Sequence, residues 1–323
     1  MKKIFLFAIL LSLFILSICD HRTYDGKKLI SLSYEINVNY NAEPPVSMKN
    51  FDQEMISYYS WFVSFGYCKE FIVPYACCKN YTDFFTKKWT IIDTKVIDDY
   101  FNFNYVIWRS DEFKKYIIAF PGTRNIIKEL PTEIINSRLE DYDEENKNGI
   151  KVVSYFKKVA FELKELIYSE QLIEDIKSHP GYQFISMGHS LGASIAAIIL
   201  YEGVDKNYID PNYNEPVLLT FGMPRTGSEK FVLDFNSKIK NIIRVVRDGD
   251  MAADLPYSPF ENSYRHLGGL VLINKDMTLM NYCPKDIGEN YEDSECKKSH
   301  SVNYNYHLYY FNPDTMFSKR CVY

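Results

Sequence analysis

The chain has 323 residues, 46% of them hydrophobic, and a formal net charge of −5. That length suits one large α/β domain with extensions, and the apolar share excludes disorder as the default state. The mild acidity, with no basic stripe interleaved with aromatics, points away from nucleic acid and gives no bulk attraction to anionic membranes.

Lys2 and Lys3 precede an uncharged, nearly all-apolar run from Ile4 to Ile18, and Ser17-Ile18-Cys19 offers a cleavage point before Asp20. This is the pattern of a secretory signal peptide, so residues 1–19 are set apart from the fold. An uncleaved anchor is the competing reading, but the run is short for a bilayer span of roughly 20 residues. A lipidated Cys19 is disfavoured by bulky Ile18. The mature chain is therefore expected to lack a transmembrane span and to reside outside the cell or in a secretory-pathway lumen, lysosome-like or vacuole-like compartments included. Residues 20–50 read as a polar, irregular N-terminal extension punctuated by Pro44-Pro45.

From Phe51 to Cys68, FDQEMISYYSWFVSFGYC reads as an aromatic-rich helix. NYVIWRS and KKYIIAF are β-rich runs around a turn at Asp111 and Glu112, a hairpin. Val152 to Ser178 carries apolar residues at helical spacing and stops before His179-Pro180-Gly181. YQFISM is a strand, LGASIAAIILYE a helix, PVLLTFG a strand, SEKFVLDFNS a short helix and NIIRVVR another strand, with LGGLVLI as an edge strand. Strands alternating with helices imply an α/β fold, a mostly parallel sheet flanked by helices.

QFISMGHSLGASIAA, Gln183 to Ala197, places one serine between Gly188 and Gly192 at a strand-to-helix junction. This is the nucleophile-elbow arrangement: the serine takes a strained backbone conformation, and glycines two residues to either side remove side chains that would clash. The helix N-terminus beyond it favours developing negative charge. A structural Gly-Ser-Gly turn is the bland alternative. A serine hydroxyl needs a base, and in such a fold the acid and then the histidine follow the nucleophile. His266, His300 and His307 are the histidines after Ser190, and Asp248, Asp250 and Asp254 follow the strand NIIRVVR.

Five segments together resemble the class 3, fungal-type triacylglycerol lipases: IIAFPGTRN, HPGYQFISMGHSLGASIAA, LLTFGMPRTGSEKF, RVVRDGDMAADLP and HLYYF, in that order. The resemblance covers most of Phe51 to Cys321 and implies an α/β-hydrolase domain over residues 51–323. It implies Ser190 as nucleophile, Asp250 as acid, since it follows RVVRDG, and His307 as base, since it opens HLYYF. Asp248 and Asp254 are then solvated or capping carboxylates, His266 is structural and His300 lies on the surface. The oxyanion hole is expected from the backbone N–H of Leu191 and from Thr123 in FPGTR, with Pro121 standing where many family members carry Arg. NIIKELPTEIINSRL after Arg124 falls where the family places a lid. Its apolar residues suit one, whereas Pro131 and the missing Trp leave an ordinary surface loop as the alternative.

Without Cys19, six cysteines remain, an even set that suits disulfides in a secreted chain and allows many pairings. The resemblance implies Cys68–Cys321. Cys283 and Cys296 share a late loop and are expected to pair, leaving Cys77 and Cys78. Asn80-Tyr81-Thr82 is a glycosylation sequon. No cofactor or metal is expected, because the cysteines lack zinc-ligand spacing. The resemblance implies a secreted serine hydrolase acting on lipid or ester substrates at a lipid–water interface. A phospholipase A1 or soluble-ester esterase on the same fold and a non-catalytic lipid-binding homologue are the alternatives.

Overall fold

A computed structural model of the chain describes residues 37–40, 53–67, 88–97, 103–123, 134, 137–145, 148–256, 264–277, 279–283, 299, 301 and 303–310. The expected signal segment, the sequon, every cysteine except Cys283, His300 and most of the expected lid lie outside the described residues.

In chain order the elements are β1 (Asn37–Tyr40), α1 (Gln53–Gly66), β2 (Thr90–Ile97), β3 (Phe103–Ser110), β4 (Lys115–Phe120), β5 (Leu139–Asp141), β6 (Lys151–Val153), α2 (Ser154–Ile167) and α3 (Glu170–Ser178). There follow β7 (Gln183–His189), α4 (Leu191–Asp205), α5 (Pro211–Asn214), β8 (Val217–Phe221), α6 (Glu229–Lys238), β9 (Asn241–Arg247), β10 (Gly269–Ile273), β11 (Leu279–Cys283) and α7 (Asn305–Leu308). Among the described residues one large sheet runs in the order β1-β11-β10-β9-β8-β7-β4-β3-β2. From β4 through β7, β8 and β9 to β10 every pairing is parallel, while β2, β3 and β4 form an antiparallel meander.

The pleat sorts side chains to two cores. In β4, Tyr116, Ile118 and Phe120 join one apolar cluster and Ile117 and Ala119 the other. The first cluster takes in α2, α4 and α6, and the second takes in α1. Alternation on a strand buried on both faces is what a sheet sandwiched by helices requires. α4 is buried from Leu191 to Val204, as expected of a helix that is hydrophobic all round. It runs from the carboxyl end of β7 back along the sheet, so its N-terminus sits at the edge where β4, β7, β8 and β9 end.

Three expectations change. Part of the N-terminal extension is not irregular: Asn37–Tyr40 pairs in parallel with β11. The helix read over Val152 to Ser178 is a short strand and two helices. The break falls at Ser169, whose hydroxyl accepts from the Leu172 N–H and caps α3, and an N-cap of this kind stabilises a new start over continuation. The segment LGGLVLI is no edge strand, because β11 and β1 lie beyond it. The hairpin around Asp111 and Glu112 forms as β3 and β4.

Candidate active site

Ser190 sits between β7 and α4 with φ 58° and ψ −128°. A non-glycine residue there carries strain of order 1–3 kcal/mol, held by its surroundings. The surroundings are backbone: the Ser190 N–H donates to the Phe221 carbonyl at 2.9 Å, and the Ala193 N–H donates to the Ser190 carbonyl at 3.0 Å. The two glycines are steric necessities. A β-carbon on Gly188 would overlap the backbone of Gly192, and one on Gly192 would overlap the carbonyls of Phe120 and Pro121. Ser190 is fully buried and its Oγ has no hydrogen-bond partner.

His307 lies in α7 and is fully buried. Its Nδ1 is 2.8 Å and 3.0 Å from the two oxygens of Asp250. A carboxylate only accepts, so Nδ1 carries the ring proton and Nε2 is left with its lone pair, as a base requires. Nε2 has no partner. Asp250 follows β9 through a turn closed by its N–H to the Arg247 carbonyl at 2.9 Å. Its Oδ1 also accepts from the Ala252 N–H at 2.9 Å, and its Oδ2 from the Tyr310 hydroxyl at 2.6 Å. Burial pushes the Asp250 carboxyl up. The His307 charge and these hydrogen bonds outweigh it and hold the group below its ordinary value, so it stays ionised. Burial and the Asp250 charge push the Tyr310 hydroxyl well above its ordinary value, so it remains a donor.

Gly222, at the end of β8, completes the dyad by having no side chain. Its φ is +56°, and a β-carbon there would lie 2.5 Å from Asp250 Oδ2 and 2.9 Å from His307 Nδ1. Arg247 holds the other side, donating to the carbonyls of Tyr309 at 2.7 Å and Lys275 at 3.0 Å. That ties the segment bearing His307 to the end of β9.

Opposite the dyad, the Leu191 N–H is the first of α4 and has no acceptor within the helix. Thr123 follows Gly122 in the loop after β4. The Gly122 N–H donates to the Tyr67 hydroxyl at 2.7 Å, and a β-carbon on Gly122 would come within 2.8 Å of Ser190 Cβ. The fold thus brings Ser190, Leu191, Thr123, His307 and Asp250 to one edge of the sheet, with Leu191 and Thr123 flanking the nucleophile.

The remaining candidates stand apart from the dyad. Asp248 Oδ1 accepts from the Ser299 N–H at 2.5 Å. His266 Nε2 lies 2.9 Å from the Ala253 carbonyl, bracing the turn after Asp250. Asp254 closes that turn, its N–H donating to the Met251 carbonyl at 3.0 Å. Tyr67, Tyr310 and Gly222 are the site residues that sequence reasoning did not single out. Tyr310 had a signal: it stands three positions after His307, within HLYYF. Tyr67 had none, since its hydroxyl meets Gly122 and His189, both more than 50 residues away. Among the described residues no group of His, Cys, Asp and Glu could hold a metal ion, and no helix is long and apolar enough to cross a membrane. Cys283 is disulfide-bonded, and its partner lies outside the described residues.

Residues 117–260 match the family described as Lipase (class 3). A secreted mono- and diacylglycerol lipase of Malassezia restricta is 30% identical over 131 residues, which are 40% of this chain and 41% of that protein. The chain thus spans about two fifths of the length of that relative. A lipase of Rhizopus niveus is 26% identical over 279 residues, 84% of this chain and 66% of that protein. Among solved structures, a triacylglycerol lipase whose catalytic centre is a serine-protease triad superposes with a TM-score of 0.67 at 22% identity, covering 86% of this chain and 98% of that one. A lipase of Rhizopus microsporus var. chinensis superposes at 0.65 with 21% identity, covering 87% and 91%. At these identities the structures speak for the fold, an α/β-hydrolase. Residues 117–260 thus carry the class 3 lipase pattern, on a fold shared with these lipases.

Proposed function

We propose that this protein is a secreted serine hydrolase that cleaves carboxylic ester bonds of lipids, acting where lipid meets water. One observation carries the reading. Ser190 Oγ and His307 Nε2 are buried polar atoms without hydrogen-bond partners, beside a carboxylate that meets several donors. Leaving such an atom unpaired costs about 1–3 kcal/mol. The cost is intelligible if both atoms are kept for a substrate. A lipid-binding protein without catalysis has no need of a base oriented by a buried carboxylate.

In this reading the ester carbonyl enters beside Ser190, and Oγ attacks its carbon as His307 Nε2 takes the hydroxyl proton. Asp250 keeps the ring in the tautomer that can accept and stabilises the imidazolium. The oxygen that becomes negative meets the N–H groups of Leu191 and Thr123 at the α4 N-terminus. His307 then protonates the departing alcohol, leaving an acyl group on Ser190. Water, deprotonated by His307, releases the acid. Apo hydrogen bonds of this kind are often open, so the unmade Ser190–His307 contact is compatible with the role. The secretory-type N-terminus and the secreted Malassezia restricta relative support secretion.

The deciding experiment treats the purified chain and its Ser190→Ala variant with a fluorophosphonate probe. Turnover is measured on a short-chain ester and on emulsified lipid. Labelling confined to Ser190 with ester turnover is expected, and an unlabelled wild-type protein overturns the reading.

A further inference from the structure

His189 precedes the candidate nucleophile and is fully buried. Its Nε2 lies 3.0 Å from the backbone carbonyl of His307. A carbonyl has no proton, so Nε2 carries one and donates. In the neutral ring Nδ1 is then an acceptor. The Tyr67 hydroxyl lies 2.6 Å from that Nδ1 and so donates to it. The same oxygen accepts the Gly122 N–H at 2.7 Å. With the ring neutral, the direction of every bond follows from the two ends, an amide that only donates and a carbonyl that only accepts.

This chain of bonds joins four segments far apart in sequence: the end of α1 bearing Tyr67, the loop bearing Thr123, the elbow bearing Ser190 and the segment bearing His307. The His189 ring also stacks on the His307 imidazole, centroids 4.6 Å apart and planes at 26°. Tyr67 is itself fixed at the end of α1. Asn104 donates to the Gly66 carbonyl, and a β-carbon on Gly66 would come within 2.9 Å of Pro121. The loop after β4 is therefore clamped between α1 and the elbow.

We propose that Tyr67 and His189 are positioning residues, a directed relay from Gly122 to the His307 carbonyl that sets the oxyanion loop and the base relative to Ser190. The proposal rests on the hydrolase reading above. The relay has an electrostatic side too. His307 gains a positive charge as it takes the Ser190 proton, and His189 faces that ring at stacking distance, with Asp250 at its Nδ1 edge. A neutral His189 accommodates the new charge, whereas a cationic one would oppose it. Tyr67 favours the neutral form by occupying Nδ1 with a donor.

Two measurements test this. In kinetics on p-nitrophenyl butyrate, Tyr67→Phe and His189→Phe are each expected to lower kcat about tenfold with KM within about twofold. Tyr67→Phe removes a single oxygen and keeps the ring, so its fold is secured even where His189→Phe is not tolerated. Because both changes break one relay, the double variant should be no slower than the slower single variant. Unchanged kcat in Tyr67→Phe, or fully additive losses, overturns the relay. The second measurement needs no substrate. Nitrogen-15 NMR of labelled histidines at neutral pH should show His189 neutral with its proton on Nε2, and its Nδ1 signal should move in Tyr67→Phe. A cationic His189, or one protonated on Nδ1, overturns the proposal whatever the activity. Absent turnover in the wild type, with the expected His189 spectrum, instead defeats the hydrolase reading and leaves the relay standing.

Discussion

The two halves of the site are built on opposite terms. On one side Asp250 is enclosed by donors: His307 Nδ1, the Tyr310 hydroxyl and the Ala252 N–H. On the other, Ser190 Oγ is just as buried and has no partner. The difference follows from charge. An ionised carboxylate taken out of water costs several kcal/mol unless its lone pairs are met, so its surroundings must be complete before any ligand arrives. A neutral hydroxyl left unpaired costs only about 1–3 kcal/mol, an amount a folded chain can carry at a site reserved for substrate. The permanent charge is solvated by the protein, and the transient one is left for the reaction.

The largest effects should separate the halves by stability while leaving activity equally damaged. Ser190→Ala and His307→Ala are each expected to lower kcat/KM by at least about 10³-fold. Ser190→Ala should keep unfolding stability or raise it by up to about 1–3 kcal/mol, because it removes an unpaired buried hydroxyl and no hydrogen bond is lost. His307→Ala should cost about 3 kcal/mol or more in denaturant unfolding, because the buried Asp250 carboxylate loses its Nδ1–H donor and a cavity is left. Equal stability losses in the two variants would break the comparison.

Gly222→Ala tests the enclosed half sterically. With φ at +56° and the dyad within 3 Å of the new β-carbon, turnover should fall about 10²-fold. Wild-type turnover would mean that the dyad tolerates displacement. Thr123→Val tests the open half. Because the backbone N–H survives, a fall of about 10²-fold would assign the Thr123 hydroxyl as a further oxyanion donor, and unchanged kinetics would leave the backbone N–H alone in that role.

The smallest effect sharpens the electrostatic side. Tyr310→Phe removes one donor to a charged group, a loss of about 1.5–3 kcal/mol at neutral pH. The sign with pH follows from Asp250, whose folded pKa lies below its unfolded value. Its contribution to stability is present above the unfolded pKa, about 3.9, and is lost as pH falls through the folded one. The gap between wild type and Tyr310→Phe should therefore narrow on acidification, to the part left by the Arg247 N–H, which donates to the same oxygen at 3.1 Å. Unfolding curves taken from pH 6 down to pH 2 measure it, and a gap independent of pH would show that Tyr310 does not act through the Asp250 charge.

Much of the candidate site could be read from local pattern. The elbow is a local object: strand, Gly188, Ser190, Gly192 and helix are contiguous, so their strain and clashes follow from covalent geometry. Thr123, Asp250 and His307 were reached through segments that resemble a family, since several aspartates and histidines in the chain have similar local chemistry. Asp248 and Asp250 illustrate the limit. Two residues apart on one turn, they part only because the fold sets Gly222 and His307 beside one of them and Ser299 beside the other. Residues 37–40 show the same limit in the fold, since a four-residue polar strand forms only where β11 offers it an edge.

By itself the sequence determined the alternation of strands and helices, the burial of α4 and the elbow at Ser190. Each of these depends on side-chain spacing or backbone sterics within a few residues. The tertiary structure alone decided which carboxylate meets His307, why residue 222 must be glycine, and that Tyr67 and His189 link the loop of Thr123 to the backbone of His307. Those are contacts between residues tens to more than a hundred positions apart. Directed hydrogen bonds over 2.6–3.0 Å depend on where the packed sheet and helices leave each atom, which no local pattern encodes.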